Sequence, residues 1–507
     1  MNDGRQARAA LTLLPSGTVL DVPVGSYLQD HLYDHGVDFP CGGMGTCRAC
    51  LVKIESGAAP PSPADLYELD PRELDEGWRL ACRIIVKHDL TLKLPSWDMQ
   101  ILTDTQQSSI QSTDQGLGIA IDIGTTTLAA QLVELSSLEV LDTATALNDQ
   151  RRFGTDVMSR LDHALRQDTG SAELSKIIQD HIYSMVARLL PDNRKAELST
   201  IHLVGNSAMH HLFGGLDIRS LAHFPFDPGS LEALEYSARD LGWDLLPGTQ
   251  VRFLPNLGGF VGSDILAGIL ATSMHTSPEP VALIDLGTNG EIVVGSRQGL
   301  ICASAAAGPA FEGARIEMGM SAVPGAVSQV SYSKGKIAFK VIGGTEPAGF
   351  CGSGLVDAVA VGLDQGFIEK DGRLRSGSVW NLSPTIKLTQ HDIRELQLSK
   401  GAIAAGFSLV LKEAGLQARD LKHIYLGGAF GNYIHPEQAL RIGLFEGSLS
   451  QISPVGNCAL RGAKRSLQSQ SQAEIESLRD LCRHVELATL PGFQDRFAEA
   501  MFFEELR

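Results

Sequence analysis

The hydrophobic pattern of the chain changes character near residue 117. Before that point, apolar and polar residues alternate over 11–22 around a Pro-Ser-Gly turn, which predicts a β-hairpin. The apolar runs 51–54, 82–86 and 90–94 predict further strands. After that point, unbroken apolar runs end in glycine turns, a pattern typical of strands buried on both faces of an α/β sheet. The sequence therefore predicts a small strand-rich fold followed by a larger α/β fold.

The segment between the two patterns has almost nothing to bury. Residues 103–116 read Thr-Asp-Thr-Gln-Gln-Ser-Ser-Ile-Gln-Ser-Thr-Asp-Gln-Gly, and such a segment cannot offset the entropy lost when it orders. No comparable linker follows. We therefore predict a domain over residues 1–98, a flexible linker over 99–116 and one large domain over 117–507.

The large domain contains one motif twice. Residues 119–127 and 283–290 each lead from an apolar strand into Asp, one apolar residue and Gly-Thr. A repeat of this kind indicates two related halves. We predict two lobes, at about 117–278 and 279–507.

Each repeat has the residue types of a phosphate-binding turn. The glycines permit a tight turn, and the N–H groups and hydroxyls after them suit phosphate oxygens. The two strand-end carboxylates, Asp122 and Asp285, are the candidate catalytic residues, because a carboxylate there can orient a hydrated Mg²⁺ ion or a water molecule. One such turn alone is equally typical of a structural hairpin, whereas the pair favours a nucleotide site. The predicted phosphate-binding residues are Gly124, Thr125, Thr126, Gly287, Thr288 and Asn289.

A third strand and glycine turn lies at residues 424–432. Its Gly427 and Gly428 leave space for a flat adenine or a ribose, so we predict that they contact the nucleoside of ATP. The chain contains no Gly-x4-Gly-Lys-Ser/Thr sequence, which excludes a P-loop nucleotide site.

Four cysteines near the N-terminus predict a metal centre. Cys41, Cys47 and Cys50 have the spacing Cys-x5-Cys-x2-Cys, and Cys82 follows 32 residues later. The glycine-rich loop 42–46 lets backbone N–H groups approach sulfur, which favours a [2Fe–2S] cluster. The alternative is a structural zinc site, although zinc ribbons usually pair two Cys-x2-Cys knuckles and this chain has one.

Composition limits the partners of the chain. With 43% hydrophobic residues and no apolar run of membrane-spanning length, the chain is expected to be cytoplasmic, without a membrane partner. The net charge of −17 argues against nucleic acid and for a basic docking partner. The acidic segment 65–76 either docks such a partner or is a solvated helix face, and its charge pattern favours the latter. The remaining cysteines are expected to be buried thiols: Cys302, Cys351, Cys458 and Cys482.

The three glycine turns, in this order, resemble those of the superfamily of acetate kinase, sugar kinases, heat-shock chaperones and actin (ASKHA). That resemblance implies two ribonuclease-H-like lobes that close on ATP. It also marks residues 204–209 and 352–357 as connecting segments, where Asn206 and Asp357 are at most contact residues. The fold expected is an α+β ferredoxin-like β-grasp domain followed by a duplicated α/β ATPase domain.

The cysteine motif upstream of these three turns resembles the reductive activators of corrinoid-dependent enzymes. The resemblance covers nearly the whole chain. It implies an ATP-hydrolysing enzyme that passes one electron from a [2Fe–2S] cluster to the Co(II) corrinoid of a methyltransferase or corrinoid protein, restoring Co(I). It also implies an upstream electron donor or reductase, and it leaves a homodimer open.

Two other functions remain open at this point. The chain could be a small-molecule kinase with an iron–sulfur redox sensor, for which Asp285 or Glu291 would be the general base. It could also be a non-catalytic, nucleotide-gated binding protein. ATP turnover that requires a corrinoid partner would distinguish the activator from both.

Overall fold

A computed structural model gives the architecture of most of the chain. The chain folds into two compact units, Met1–Met99 with Asp149–Arg160, and Gln100–Asn148 with Leu161–Arg507. No helix in the described part of either unit has the length and apolar character needed to span a bilayer. The residues described are 7–14, 17–32, 37, 45, 50–69, 71–94, 113–154, 156–167, 169–224, 226–243, 248–375, 377–431 and 433–503.

The first unit is built on a five-stranded mixed sheet. The strand order is β2-β1-β5-β3-β4, with β1 and β5 parallel and the other neighbours antiparallel. Alternate residues of β1, such as Leu11 and Leu13, are fully buried in its core together with Leu28 and Leu32. The elements are β1 (Arg8–Leu14), β2 (Thr18–Pro23), α1 (Gln29–Leu32), β3 (Leu51–Ser56), α2 (Pro63–Glu68), α3 (Pro71–Asp75), β4 (Trp78–Leu80) and β5 (Leu90–Lys93).

The structure corrects one strand predicted for this unit. Cys82 does not begin a strand but lies in a 3-10 turn over Ala81–Arg83, and Ile85 makes only an isolated bridge to Tyr27. The acidic segment forms α2 and α3, and the Asp65 carboxylate is buried because it caps α2 and accepts a hydrogen bond from the Leu80 N–H (2.7 Å).

The second unit begins with a six-stranded sheet of order β10-β11-β9-β6-β7-β8. Strands β6, β7 and β8 form an antiparallel meander, and β9 and β11 continue the sheet parallel to β6. The elements are β6 (Leu117–Ile123), β7 (Thr127–Glu134), β8 (Glu139–Leu147), α4 (Val157–Arg166), α5 (Gly170–Leu189), β9 (Leu198–Gly205), α6 (Ser207–Gly214), β10 (Leu234–Ser237), β11 (Gln250–Phe253) and α7 (Ser263–Thr272).

The second half repeats this plan in a sheet of order β21-β20-β12-β13-β14-β22. Here β12, β13 and β14 form the meander, and β20 and β21 run parallel to β12. The repeated order confirms the predicted pair of ribonuclease-H-like halves. The elements are β12 (Val281–Leu286), β13 (Gly290–Ser296), β14 (Gly299–Ala305), β15 (Ala326–Ser333), β16 (Lys336–Val341), β17 (Gly349–Phe350), α8 (Gly352–Asp364), β18 (Val379–Asn381), β19 (Lys387–Thr389), α9 (Gln390–Glu413), β20 (Ile424–Gly427), α10 (Gly428–Gly431), α11 (Pro436–Arg441), β21 (Ile452–Gly456), α12 (Cys458–Ser466), α13 (Ser471–Leu481), β22 (Cys482–His484) and α14 (Phe493–Ala500).

Helices α7 and α12 pack together between the two sheets. They share one buried core with residues of both sheets, including Ala120 and Val204 of the first and Leu283 and Val293 of the second. Helix α12 follows the second half in sequence, yet it packs on α7, β6 and β9 of the first half. The helix pair therefore joins the two lobes.

We predict that Gly462 is essential to this helix crossing. A Cβ atom at Gly462 would lie 1.9 Å from the carbonyl oxygen of Ala267. Helix propensity alone would make Gly462→Ala stabilising by about 1 kcal/mol, so any loss must come from packing. We expect a loss of about 2–4 kcal/mol, measured by urea unfolding with far-UV circular dichroism.

Gly299→Ala is the matched control, because no atom lies within 4 Å of a Cβ at Gly299. Its stability should stay within about 0.5 kcal/mol of the wild type. A Gly462→Ala protein as stable as this control would contradict the close crossing.

Candidate functional site

The turn after β6 has the tight geometry predicted from its glycine. The Gly124 N–H donates to the Thr127 carbonyl (2.9 Å), and a Cβ at Gly124 would lie 2.6 Å from that oxygen. The Asn148 side chain donates to the Gly124 carbonyl (2.9 Å), and the Asn206 side chain donates to the Thr125 hydroxyl (3.1 Å). These contacts hold Thr125 and Thr126 at the turn, at the end of the strand that carries Asp122.

The turn after β12 is its counterpart in the second lobe. The Gly287 N–H donates to the Asn289 carbonyl (3.0 Å), and the Thr288 hydroxyl donates to the Glu312 carboxylate (2.8 Å). Asp285 lies opposite Glu291 in the register of β12 and β13. The second turn thus also places a strand-end carboxylate beside exposed backbone groups.

The third turn lies against the second. Gly427 is the register partner of Asp285, and Gly428 has a left-handed backbone with φ of 81°. A Cβ at Gly428 would lie 2.6 Å from Asp285 Oδ1, and a Cβ at Gly427 would lie 2.8 Å from Cys458 Sγ. Both positions require glycine because the Asp285 carboxylate and the Cys458 thiol occupy the space of a side chain.

Four carboxylates converge where these turns meet. Burial, opposed by a hydrogen bond from Asn457 and reinforced by repulsion from Asp285, raises the pKa of Asp122 to about 7. Burial, opposed by the Cys458 thiol, raises the pKa of Asp285 to about 6. Burial and then repulsion from Asp285 and Asp122 raise the pKa of Asp264 to about 8. Burial and the charges of Asp264 and Asp285 also raise the pKa of Glu291 well above its usual range.

The contacts of this carboxylate cluster are to neutral groups. Asn457 Nδ2 donates to Asp122 (2.9 Å), the Cys458 thiol to Asp285 (3.7 Å) and the Ser304 hydroxyl to Glu291 (3.3 Å). No ion pair between Lys or Arg and the four carboxylates occurs in the described part of the chain. No Lys or Arg in the described part of the chain therefore compensates the negative charge that these groups carry when they ionise, which is the property expected of a site that receives a cation with its ligand.

The carboxylate cluster does not form a closed metal cage. In the described ranges, no three His, Cys, Asp or Glu side chains are grouped closely enough to bind a metal ion by themselves. This geometry suits a metal ion that keeps several waters and takes its other ligands from phosphate oxygens, as Mg²⁺ commonly does.

Two cavities in the described part of the second lobe are lined partly by residues that follow the third turn in sequence, among them His435. One has a volume of about 270 Å³. A second cavity of about 480 Å³ has Asp357 and His435 in its wall. The first is lined by Ala322, Ser328, Gln329, Lys340, Ile342, Cys351, Ser353, Tyr433, Ile434 and His435.

The two connecting-segment residues lie in different places. Asn206 caps α6 by accepting from the Met209 N–H (3.0 Å) and reaches the first turn through Thr125. Asp357 is only 1% exposed and lies outside the carboxylate cluster. Its oxygens pair with His435 Nδ1 (3.0 Å), and one accepts from the Val330 N–H (3.1 Å).

Two of the four predicted cluster ligands can be described. Cys50 and Cys82 are 1% and 2% exposed, and the Ala81 N–H donates to the Cys50 carbonyl (2.9 Å). Gly45 has φ of 79°, and a Cβ there would lie 3.0 Å from both Ala64 and Arg83. The pair of adjacent, buried cysteines beside a close-fitting glycine fits a small metal–sulfur centre. Cys41 and Cys47 lie outside the described residues.

Sequence reasoning missed three residues of the candidate site. Asp264 follows a Gly-Ser pair at the start of α7. This pattern predicts the start of a helix, but it does not predict that Asp264 lies near other carboxylates. Asn457 lies before α12 and reads as an ordinary helix cap. The sequence around Glu312 contains no motif that predicts its contact with Thr288. Each comes to the site only through a contact distant in sequence.

Three protein-family models match the chain. The 2Fe-2S iron-sulfur cluster binding domain matches residues 11–87. The RACo middle region matches residues 117–277, and the C-terminal domain of RACo, the ASKHA domain, matches residues 279–507.

Curated proteins and a solved structure resemble most of the chain. The corrinoid activation enzyme RamQ of Eubacterium limosum is 36% identical over 416 residues, which cover 75% of this chain and 69% of RamQ. The Co(II) methylated amine-specific corrinoid protein reductase of Methanosarcina barkeri is 30% identical over 75% of each chain. A solved reductive activator for corrinoid, iron-sulfur protein is 26% identical with a TM-score of 0.68, over 97% of this chain and 98% of that one. These matches show that the chain belongs to the RACo family of reductive activators.

Proposed function

We propose that this chain is an ATP-dependent reductive activator of a corrinoid enzyme. It transfers one electron from a [2Fe–2S] cluster to the Co(II) corrinoid of a methyltransferase or corrinoid protein, which restores Co(I), and it hydrolyses ATP in the process. The proposal rests on one observation: this chain joins a ferredoxin-like domain to a two-lobed ASKHA fold, and the relatives that it resembles are named for corrinoid activation.

Within the first unit, Cys41, Cys47, Cys50 and Cys82 would hold the cluster. A bound [2Fe–2S] cluster supplies one-electron chemistry. The burial of Cys50 and Cys82 keeps these thiolates away from water. These features support the iron–sulfur assignment over zinc, for which a second knuckle is missing.

Within the second unit, the first two turns would hold the phosphates of ATP. Residues 124–126 and 287–289 offer backbone N–H groups and hydroxyls from opposite lobes. Asp122 and Asp285 would orient water around Mg²⁺, which supplies the positive charge that the carboxylate cluster lacks. The positive charge of the metal would then offset the repulsion between the like-charged strand ends of the two lobes.

The nucleoside would occupy the cavity that follows the third turn. The wall of this cavity combines apolar Ile342 and Ile434 with polar Ser328 and Gln329. Such a wall suits a base that needs both stacking area and hydrogen bonds.

ATP is needed because the electron transfer runs uphill. A plant-type ferredoxin cluster has a potential of about −400 mV, and every further 100 mV costs roughly 2.3 kcal/mol per electron. Lobe closure can supply this free energy only if the closed form has a different relative affinity for the Co(II) and Co(I) partner. An upstream donor must then reload the cluster. A homodimer and a cytoplasmic location stay predictions.

If the four N-terminal cysteines bind the cluster, replacing one of them should remove the cluster, whereas replacing a cysteine of the second unit should not. Ala at Cys50 or Cys82 should abolish the visible charge-transfer bands and the stoichiometric iron of anaerobically purified protein, because a cluster needs all four thiolates. Cys482→Ala in the second unit should leave both unchanged. Stoichiometric zinc without visible bands in the wild type would instead establish the zinc site.

If Asp122 and Asp285 act at the nucleotide site, removing their charge should impair ATP hydrolysis and leave the iron–sulfur cluster intact. Asp122→Asn and Asp285→Asn should lower ATP hydrolysis by about 100-fold or more, since ordered charge around the metal is lost. The cluster should still accept an electron, shown by bleaching of its bands. Both variants should fail to regenerate Co(I) on a cognate corrinoid protein. Wild-type rates and yields of Co(I) would contradict the coupling of ATP to electron transfer.

The raised pKa values predict opposite pH effects on stability and binding. The folded Asp264 carboxyl keeps its proton up to about pH 8, whereas an unfolded Asp loses it near pH 4, so the folded state binds the extra proton between these values. The unfolding free energy of the wild type, relative to Asp264→Asn, should therefore fall as the pH rises from about 4 to 8. Urea unfolding without nucleotide measures this difference.

The affinity for Mg·ATP should rise over the upper part of the same interval, because ionised carboxylates attract the hydrated metal ion more strongly than neutral carboxyls do. Isothermal titration calorimetry between about pH 6 and pH 8.5 measures it. An affinity that is flat or falling with pH would show that these carboxylates do not act on the metal.

A further inference from the structure

The start of helix α12 contacts the catalytic carboxylates of both lobes. Asn457 Oδ1 accepts from the Leu460 N–H (2.7 Å), which caps the helix, while Asn457 Nδ2 donates to Asp122 Oδ2 (2.9 Å). The next residue, Cys458, contacts Asp285 through its thiol (3.7 Å). Two adjacent residues therefore hold one strand end from each half of the fold.

The position of Asn457 depends on the packing of both lobes. Strand β21, which precedes it, pairs with β20 of the second sheet. Helix α12, which follows it, crosses α7 at Gly462 and packs on β6, the strand of Asp122. The junction that carries Asn457 therefore connects the sheet of one lobe to the sheet of the other.

The charges around Asp122 make this amide important. Asp264 on α7 and Asp285 on β12 both repel the Asp122 carboxylate, and the neutral Cys458 thiol lies on α12 itself. Arg461, one turn further along α12, acts on Cys458. The Asn457 amide is the hydrogen-bond donor that favours the ionised form of Asp122 against burial and repulsion.

We propose that Asn457 is a positioning residue for nucleotide hydrolysis. Its amide orients the Asp122 carboxylate toward the metal–nucleotide and favours the ionised form of that carboxylate, and it does so only while the β21–α12 junction lies against β6. The inference rests on the proposed function, because it assigns Asp122 to the same nucleotide site. It gives Asn457, a residue of the second half of the chain, a direct effect on Asp122 of the first half, and this effect depends on how the two lobes are arranged.

Two substitutions separate this role from helix capping. Asn457→Asp and Asn457→Ser both keep an oxygen that can cap α12, but neither keeps the amide donor. Asn457→Asp also adds a negative charge about 2.9 Å from Asp122. Asn381→Asp, on an exposed hairpin strand, adds the same charge away from the site and is the matched control.

The experiment measures Mg²⁺-dependent ATP hydrolysis by full-length protein from about pH 6 to pH 9.5. In Asn457→Ser we expect the midpoint of the rise with pH to move up by about one pH unit, the effect of one lost hydrogen bond to a charged group. In Asn457→Asp the shift should be larger, with a rate at pH 7 at least about ten-fold lower and substantial recovery at pH 9.5. Thermal unfolding and cluster spectra should match those of Asn381→Asp.

The outcomes distinguish this inference from the function on which it rests. A wild-type profile in both Asn457 variants, or an equal loss at every pH, would overturn the positioning role while leaving the activator proposal intact. Shifted profiles in a protein that hydrolyses ATP but never forms Co(I) would support the role of Asn457 and overturn the activator proposal. A wild-type protein that neither binds nor hydrolyses ATP would overturn both.

Discussion

The uncompensated charge of the carboxylate cluster is the constraint on which the second unit depends. Asp122 and Asp285 end equivalent central strands of two sheets, and Asp264 and Glu291 add two more carboxylates to the same buried place. Burial and mutual repulsion make their ionised forms costly. In the proposed function, a metal-bound nucleotide would remove that cost and would link ligand binding to lobe arrangement through electrostatics.

Close backbone packing makes this convergence of charges sterically feasible. Gly427 and Gly428 let β20 and its turn approach Asp285, and Gly462 lets α12 cross α7 with a carbonyl in the place of a Cβ. A side chain at any of the three positions would separate the elements that carry the carboxylates. Glycine at these positions therefore permits close packing of the backbone, and these contacts fix the position of the junction at Asn457.

In the first unit, the cysteine motif follows from neighbouring residues of the sequence, whereas the burial of Asp65 depends on a contact between distant residues. The cysteine spacing and its glycine-rich loop are local, and they indicate an iron–sulfur module before any fold is known. The burial of Asp65 is not local, because a carboxylate in an acidic segment is expected to be solvated. It is buried since it both caps α2 and accepts the Leu80 N–H of β4. A charge pattern alone does not reveal such a structural carboxylate.

The sequence by itself determined the two-part organisation, the duplicated strand–glycine turns, the cysteine motif and the strand-end carboxylates, because each is encoded by neighbouring residues with fixed local geometry. Only the tertiary structure decided that Asp264 and Asn457 join Asp122, and that Asp357 pairs with His435 elsewhere. Asn457 and Asp122 are 335 positions apart. Their contact arises because α12 follows a strand of the second sheet in sequence but packs on the first sheet. The local pattern of polar and apolar residues does not predict against which element a helix packs.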